Sequence, residues 1–181
     1  MVARGGGGGP RYRCPMPPPA AAEQRLVLIA YDGSRQAKGA IVEAGRELGA
    51  GRRAIVLTVR EPLDQIAFVG LGGAATIGAE TVSAMQEAAG KEAASVAEEG
   101  AQLAREAGFD AAARVAVGAS PWQEIVAIAD ELDAGVIAIG SRGRTGLPKV
   151  LLGSVASAVA QHSRRSVLIV HPEATGKPEE G

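Results

Sequence analysis

A single cysteine, Cys14, in 181 residues leaves no disulfide framework and no cysteine metal site available. Aromatic residues are nearly as scarce, at 3%, so Ala, Val, Ile and Leu must build whatever core the 46% apolar content supports. No run approaches the roughly 18 consecutive apolar residues of a membrane helix. Arg4, Arg11 and Arg13 are not followed by an apolar stretch of signal-peptide length. The expected location is therefore cytoplasmic, with no membrane partner. A formal net charge of −1 provides no extended basic face, so no nucleic-acid partner is expected either.

Acidic residues are missing altogether from Ala134 to Pro172, where Arg142, Arg144, Lys149, Arg164 and Arg165 all fall. The compensating acids lie elsewhere: Glu80 to Asp110 carries seven carboxylates against Lys91 and Arg105. One locally cationic loop on a near-neutral chain suits a small anion. A solvated basic loop would give the same charge pattern.

Residues 1–24 contain five consecutive glycines, Gly5 to Gly9, and five of the ten prolines. This low-complexity tail has almost nothing to bury and is expected to be disordered; Met16 is an alternative start. Residues 25–172 read as one domain, and 173–181 as a short polar tail.

Within the domain, strand-length apolar runs alternate with helical stretches. Leu26 to Ala30 is the first strand. Asp32-Gly33-Ser34 then leads into a helix ending near Leu48, with Ser34 as its N-cap. Ala54 to Val59 is the second strand. Leu63 to Ala79 is glycine-rich and without period, a loop read as mobile rather than as a lid. Its glycines at 70, 72, 73 and 78 lack both the following Lys-Ser/Thr and the leading strand of a phosphate loop.

Apolar residues at 82, 85, 89, 93, 96, 103 and 107 predict a helix from about Thr81 to Ala107. Gly90 and Gly100 each weaken it by about 1 kcal/mol relative to Ala. Arg114 to Val117 is the third strand. Ser120, Pro121 and Gln123 then mark a helix start with a capping box, and Trp122, Ile125, Val126, Ala129 and Leu132 form its apolar face. Val136 to Ile139 is the fourth strand, Gly153 to His162 a helix, and Val167 to Val170 the fifth strand. Continuous apolar strands separated by helices predict an α/β fold with an open doubly wound parallel sheet covered on both faces.

The chemistry concentrates where the fourth strand ends. Gly140-Ser-Arg-Gly143, nine residues, then Gly153-Ser154 describe a strand that opens into a glycine turn and re-forms as a helix. Exposed backbone N–H groups at such a turn, together with a helix N-terminus, favour a phosphate. Glycine at 140, 143 and 153 permits close approach or positive φ. Ligands of open α/β sheets lie at the carboxyl ends of the strands where the winding reverses. Asp32 and Gly140 share that crevice if the first and fourth strands are neighbours.

These motifs together resemble the ATP-binding branch of the universal stress protein family. The likeness runs from Arg25 to His171. It rests on Ile29-Ala-Tyr-Asp32-Gly-Ser34, Gly118-Ala-Ser-Pro121, Gly140-x2-Gly143-x9-Gly153-Ser154-Val155, and Val167 to Val170. It implies a five-stranded parallel sheet of order 3-2-1-4-5, Rossmann-like and similar to the adenine nucleotide alpha hydrolases. It further implies ATP with Mg²⁺ as ligand. Backbone at Ala30 and Val59 would meet adenine, and Asp32 would face the ribose and the Mg²⁺-bound phosphates. Gly140, Ser141, Arg142, Gly143 and Arg144 would wrap the ribose and phosphates. Gly153, Ser154 and Val155 would present helix N–H groups, with the Ser154 hydroxyl on phosphate oxygens. A homodimer through Val167 to Val170 is implied as well, and it would cover an apolar edge strand.

The function expected is that of a nucleotide-dependent regulatory module in stress response. The alternatives are a slow ATPase or other adenine-nucleotide enzyme of the same fold, and a scaffold whose site stays empty. No Ser/His/Asp set, metal-ligand cluster or Walker lysine supports catalysis, and Asp32 alone would turn ATP over slowly. His162 reads as a helix-end or packing residue and His171 as surface. Asp32 and Ser154 are also candidate helix caps.

Overall fold

The computed structural model describes residues 25–62, 79–143 and 152–171. The expectations for the N-terminal tail, the glycine-rich loop after the second strand, Arg144, Lys149 and the C-terminal tail lie outside the described residues.

Five strands and four helices alternate along these segments: β1 (Val27–Ala30), α1 (Arg35–Leu48), β2 (Arg53–Arg60), α2 (Ala79–Glu106), β3 (Asp110–Val117), α3 (Pro121–Glu131), β4 (Val136–Gly140), α4 (Ser154–His162) and β5 (Ser166–Val170). Every pairing is parallel, and the strand order is 3-2-1-4-5, as the resemblance implies. Alternation along the central strands divides the core into two layers. Val27, Ile29 and Val56 face Ile41, Ala44, Ala101 and Ala104 of α1 and α2. Leu28, Leu57 and Ile137 face Ile125, Ile128 and Val159 of α3 and α4. Each fully buried aliphatic side chain contributes about 2 kcal/mol. Alanine in the helices lets the layers approach without aromatic bulk.

Local signals and tertiary packing divide the rest. The Ser34 hydroxyl accepts the Ala37 N–H at 3.2 Å and caps α1, as its sequence predicts. The capping box at Ser120 does not form. Its hydroxyl makes no cap bond, and the first turn is held by the Ser120 carbonyl, which accepts from Gln123 at 3.1 Å and Glu124 at 3.3 Å. Strand β3 begins four residues before the expected Arg114, through the alanines at 111–113. Full registry with β2, from Arg53 opposite Asp110 to Arg60 opposite Val117, overrides their weak β-propensity.

The two glycines of α2 are not equivalent. A Cβ at Gly90 would meet nothing within 4 Å, whereas one at Gly100 would lie 2.6 Å from Tyr31 Cδ1 and 2.8 Å from Val56 Cγ1. Gly100 is therefore a point of close approach where a 28-residue helix, seated also through Ala101 and Ala104, meets the sheet. His162 packs as expected: its ring stacks on Trp122, with centroids 4.6 Å apart.

Candidate functional site at the exits of β1 and β4

Because β1 and β4 are neighbours, the chain segments leaving them meet at the carboxyl edge of the sheet. After β1 the Tyr31 N–H still bonds Leu57 at 2.9 Å, and its carbonyl accepts the Thr58 hydroxyl at 3.0 Å. Gly33, at φ 79°, then turns the chain into α1. Asp32 Oδ1 accepts the Ser34 N–H at 3.0 Å, which fixes the carboxylate across that turn. Asp32 thus supports the entry to α1 while Ser34 caps it.

After β4, Ser141 donates its N–H to Val170 at 2.7 Å and accepts from Gly153 at 2.7 Å. The first bond holds the exit of β4 against the end of β5, and the second ties the start of α4 to it. A Cβ on Gly143 would lie 3.0 Å from Asp32 Oδ2, so the two strand exits touch at this point.

A cavity of about 270 Å³ opens here. Its apolar wall is formed by Ala30, Leu57, Val59, Ile125 and Ile139, an outcrop of the core layer under α3 and α4. Its polar end is formed by Asp32, Arg142, Gly143, Gly153 and Ser154. Nine of the expected residues line it together: Ala30, Asp32, Val59, Gly140, Arg142, Gly143, Gly153, Ser154 and Val155. Ser141 does not. It is fully buried and contributes its backbone instead. Arg144 lies outside the described residues.

Two features of the polar end favour an anion. Helix α4 begins at Gly153 without any side-chain cap bond, unlike α1, so the amide donors of its first turn are not taken by a side chain. Arg142 has its Nε buried with no hydrogen-bond partner among the described residues, although the guanidinium is a strong donor. Ser154 keeps an exposed position at the same helix tip. Asp32, the one carboxylate on the cavity wall among the described residues, is the candidate contact for a divalent cation. Among the described residues no cluster of three His, Cys, Asp or Glu side chains could hold a metal by itself. Mg²⁺ commonly binds through one or two carboxylates plus ligand phosphates, and Asp32 fits that use.

Of the two uses expected of the glycines, close approach and positive φ, only the first remains. None of 140, 143 and 153 is among the positive-φ residues. A Cβ on Gly140 would sit 3.0 Å from the Gln36 carbonyl carbon and 3.1 Å from its oxygen, so this glycine serves the packing of α1 on β4. The cationic stretch also divides. Arg142 lines the cavity, whereas Arg164 and Arg165 precede β5 and lie at the opposite edge of a parallel sheet.

Sequence reasoning missed Tyr31, Ala37, Leu57, Pro121, Ile125, Ile139 and Ala156 as lining residues. Leu57 was accessible through period-two alternation from Val59, and Ile125 through the helical spacing from Pro121. Tyr31 gave no such signal. It is 3% exposed. Burial first, then the nearby carboxylates of Glu99 and Asp32, push its phenol up to about 12. The raised value means that neutral Tyr31 stabilises the fold below the ordinary tyrosine range, and that this contribution is lost as pH rises towards 12. With only two tyrosines in the chain, a tyrosinate absorbance titration should show one phenol, that of Tyr31, ionising only as the protein unfolds. Two normal ionisations in the folded protein would contradict the burial argument.

An open doubly wound α/β sheet with a crevice at its winding reversal defines the class. Residues 24–171 match the universal stress protein family, and the chain belongs to that family. It is 32% identical over 154 residues to Universal stress protein YxiE of Bacillus subtilis, a match covering 80% of this chain and 97% of that protein. With Universal stress protein E of Salmonella typhi the identity is 37% over 60 residues, 33% of this chain but only 19% of that protein's length. The solved structure of MJ0577 from Methanocaldococcus jannaschii superposes with a TM-score of 0.68 at 25% identity, covering 83% of this chain and 97% of that one. A universal stress protein solved in complex with cAMP superposes with a TM-score of 0.55 at 27% identity, covering 82% and 97%.

Proposed function

We propose that the cavity binds an adenine nucleotide, ATP with Mg²⁺, and that the protein acts as a nucleotide-dependent regulatory module in the stress response of the cytoplasm. The observation that carries this reading is that the start of α4 and the buried Arg142 Nε, neither bonded by a side chain among the described residues, meet at the polar end of a cavity whose other end is apolar. The family member solved with cAMP supports an adenine nucleotide as the class of ligand.

In this reading the base lies against Ala30, Leu57, Val59 and Ile125. Asp32 accepts from the ribose, and its carboxylate serves a phosphate-bound Mg²⁺. The phosphates meet Arg142, the Ser154 hydroxyl and the first N–H groups of α4. Bound Mg²⁺ supplies charge neutralisation of the phosphates. The protein's part is to orient the nucleotide and keep its base out of water. Among the described residues Asp32 is the one carboxylate on the cavity wall and no histidine lines it, so this reading makes the site a binding site first, with ATP turnover expected to be slow.

Calorimetric titration of ATP should show saturable binding that Mg²⁺ strengthens. In Asp32→Ala that Mg²⁺ dependence should disappear while weaker binding remains. Absence of binding, or a Mg²⁺ effect untouched by Asp32→Ala, refutes the assignment. Rapid ATP turnover that depends on Asp32 would instead support the alternative, an enzyme of the same fold.

The homodimer belongs to the same proposal. Strand β5 pairs with β4 on one side only among the described residues. Val167, Leu168 and Ile169 remain only half-buried, and pairing with a second copy would remove the bare edge. Light scattering at micromolar concentration should give twice the chain mass, and a monomer mass rejects the dimer.

A further inference from the structure

The amino edge of the sheet, opposite the cavity described above, carries its own charge pattern. Strand order sets Arg53 at the start of β2, Arg25 before β1, Gly135 before β4, and Arg164 and Arg165 before β5. A second cavity, of about 490 Å³, is lined there by Arg25, Asp130, Gly135, Arg164, Arg165 and Ser166, with Ala134. Helices α3 and α4 end at this edge, and cations offset the partial negative charge of helix C-termini.

That structural role accounts for Arg165. Its Nε lies 2.8 Å from Asp130, a second guanidinium nitrogen pairs with Asp133, and it donates to the Ala134 carbonyl at 3.3 Å. It does not account for Arg25 and Arg164. Both are exposed, and among the described residues neither has an ion-pair partner. Arg25 is nonetheless placed. Its stem lies over Gly135, where a Cβ would come within 2.6 Å of Arg25 Cβ and 3.4 Å of its Cδ. Its carbonyl accepts from Arg52 at 3.2 Å. Ser166, also exposed, adds a hydroxyl to the same wall.

We infer that the amino-edge cavity binds a small oxyanion of the phosphate class, held between Arg25 and Arg164 with the Ser166 hydroxyl as a third donor. Asp130 and Asp133 are hydrogen-bonded by Arg165, and Arg25 acts on Asp133 only as a nearby charge, which leaves the guanidinium forks of Arg25 and Arg164 for one multiply charged ligand. Three arginines against two carboxylates leave a local excess of one positive charge. Such a site suits a small anion and gives too little charge for a polyanionic backbone.

Inorganic pyrophosphate titrated calorimetrically into the full chain tests the site. In the double variant Arg25→Ala/Arg164→Ala one binding event should weaken at least about tenfold, while Arg142→Ala leaves that event unchanged. Both replaced residues are exposed, so thermal unfolding should be unaltered. The conservative Arg25→Lys/Arg164→Lys, which keeps the charge but not the forks, should lose part of the affinity. No binding to the wild type, or binding lost in Arg142→Ala and retained in the double variant, overturns the proposal. Because these residues lie at the edge away from Asp32 and Arg142, the outcome is independent of ATP binding at the carboxyl edge.

Discussion

Gly143→Val is expected to weaken ATP binding by about tenfold to a hundredfold, the equivalent of one lost hydrogen bond to a charged group, with the fold retained. The argument rests on position. A Cβ at 143 would lie 3.0 Å from Asp32 Oδ2, and the branched methyls of valine would have to enter the gap between the two strand exits. The Asp32 carboxylate must then turn from the cavity or the ligand must move. Gly143 is exposed and outside the positive-φ set, so valine meets no backbone penalty there. Calorimetry with ATP and Mg²⁺, alongside thermal unfolding of the same variant, separates the two effects. An affinity within twofold of wild type would place the nucleotide elsewhere.

Gly100→Ala should destabilise the protein by about 2 kcal/mol, against the sign that helix propensity predicts. The new methyl would collide with Tyr31 at 2.6 Å and Val56 at 2.8 Å. Both are almost fully buried, Tyr31 beneath the crevice and Val56 in the central sheet, so neither can yield without disturbing its neighbours. Gly90→Ala in the same helix should do the opposite and stabilise by about 1 kcal/mol, because the position is open. Denaturant unfolding of the two variants side by side provides the measurement. Equal stabilisation by both would mean that α2 does not seat on Tyr31 as described. Since Tyr31 precedes Asp32, the Gly100 variant should also loosen the ligand crevice, coupling the longest helix to the site.

Much of this arrangement was legible before any coordinates. The runs at Val27 to Ala30 and Val136 to Ile139 are buried on both faces, and only strands within a covered parallel sheet read that way. Ser34 was recognisable as a cap because its chemistry is local, a hydroxyl three residues from the amide it satisfies. The same local logic failed at Ser120. There the hydroxyl leaves the amides to the backbone carbonyl, a choice of geometry that residue identity does not encode. It failed again for the start of β3, where eight consecutive pairings with β2 draw in three alanines that favour no strand by themselves.

The site shows the same division. Asp32, Arg142, Gly143, Gly153 and Ser154 could be named from the glycine spacing, because they belong to turns whose chemistry is written in a few contiguous residues. The apolar wall could not be assembled in this way, since Leu57, Ile125 and Ile139 come from three separate elements and look like ordinary core residues. Nor could the role of Gly140, which makes room for α1, or the separation of Arg142 from Arg164 and Arg165. In sequence those three cations share one acid-free stretch.

The order of apolar runs, the turn chemistry and the helix signals determined the α/β class and the segments that carry chemistry, because each acts over a few neighbouring residues. The strand neighbours decided everything that depends on distance across the chain. They joined the exits of β1 and β4 into one cavity, and they moved Arg164 and Arg165 to the far edge. The physical reason is that a parallel sheet sends all its strand ends to one side and all its strand starts to the other, so residues on either side of a crossover helix, as Arg142 and Arg164 are of α4, end up on opposite edges.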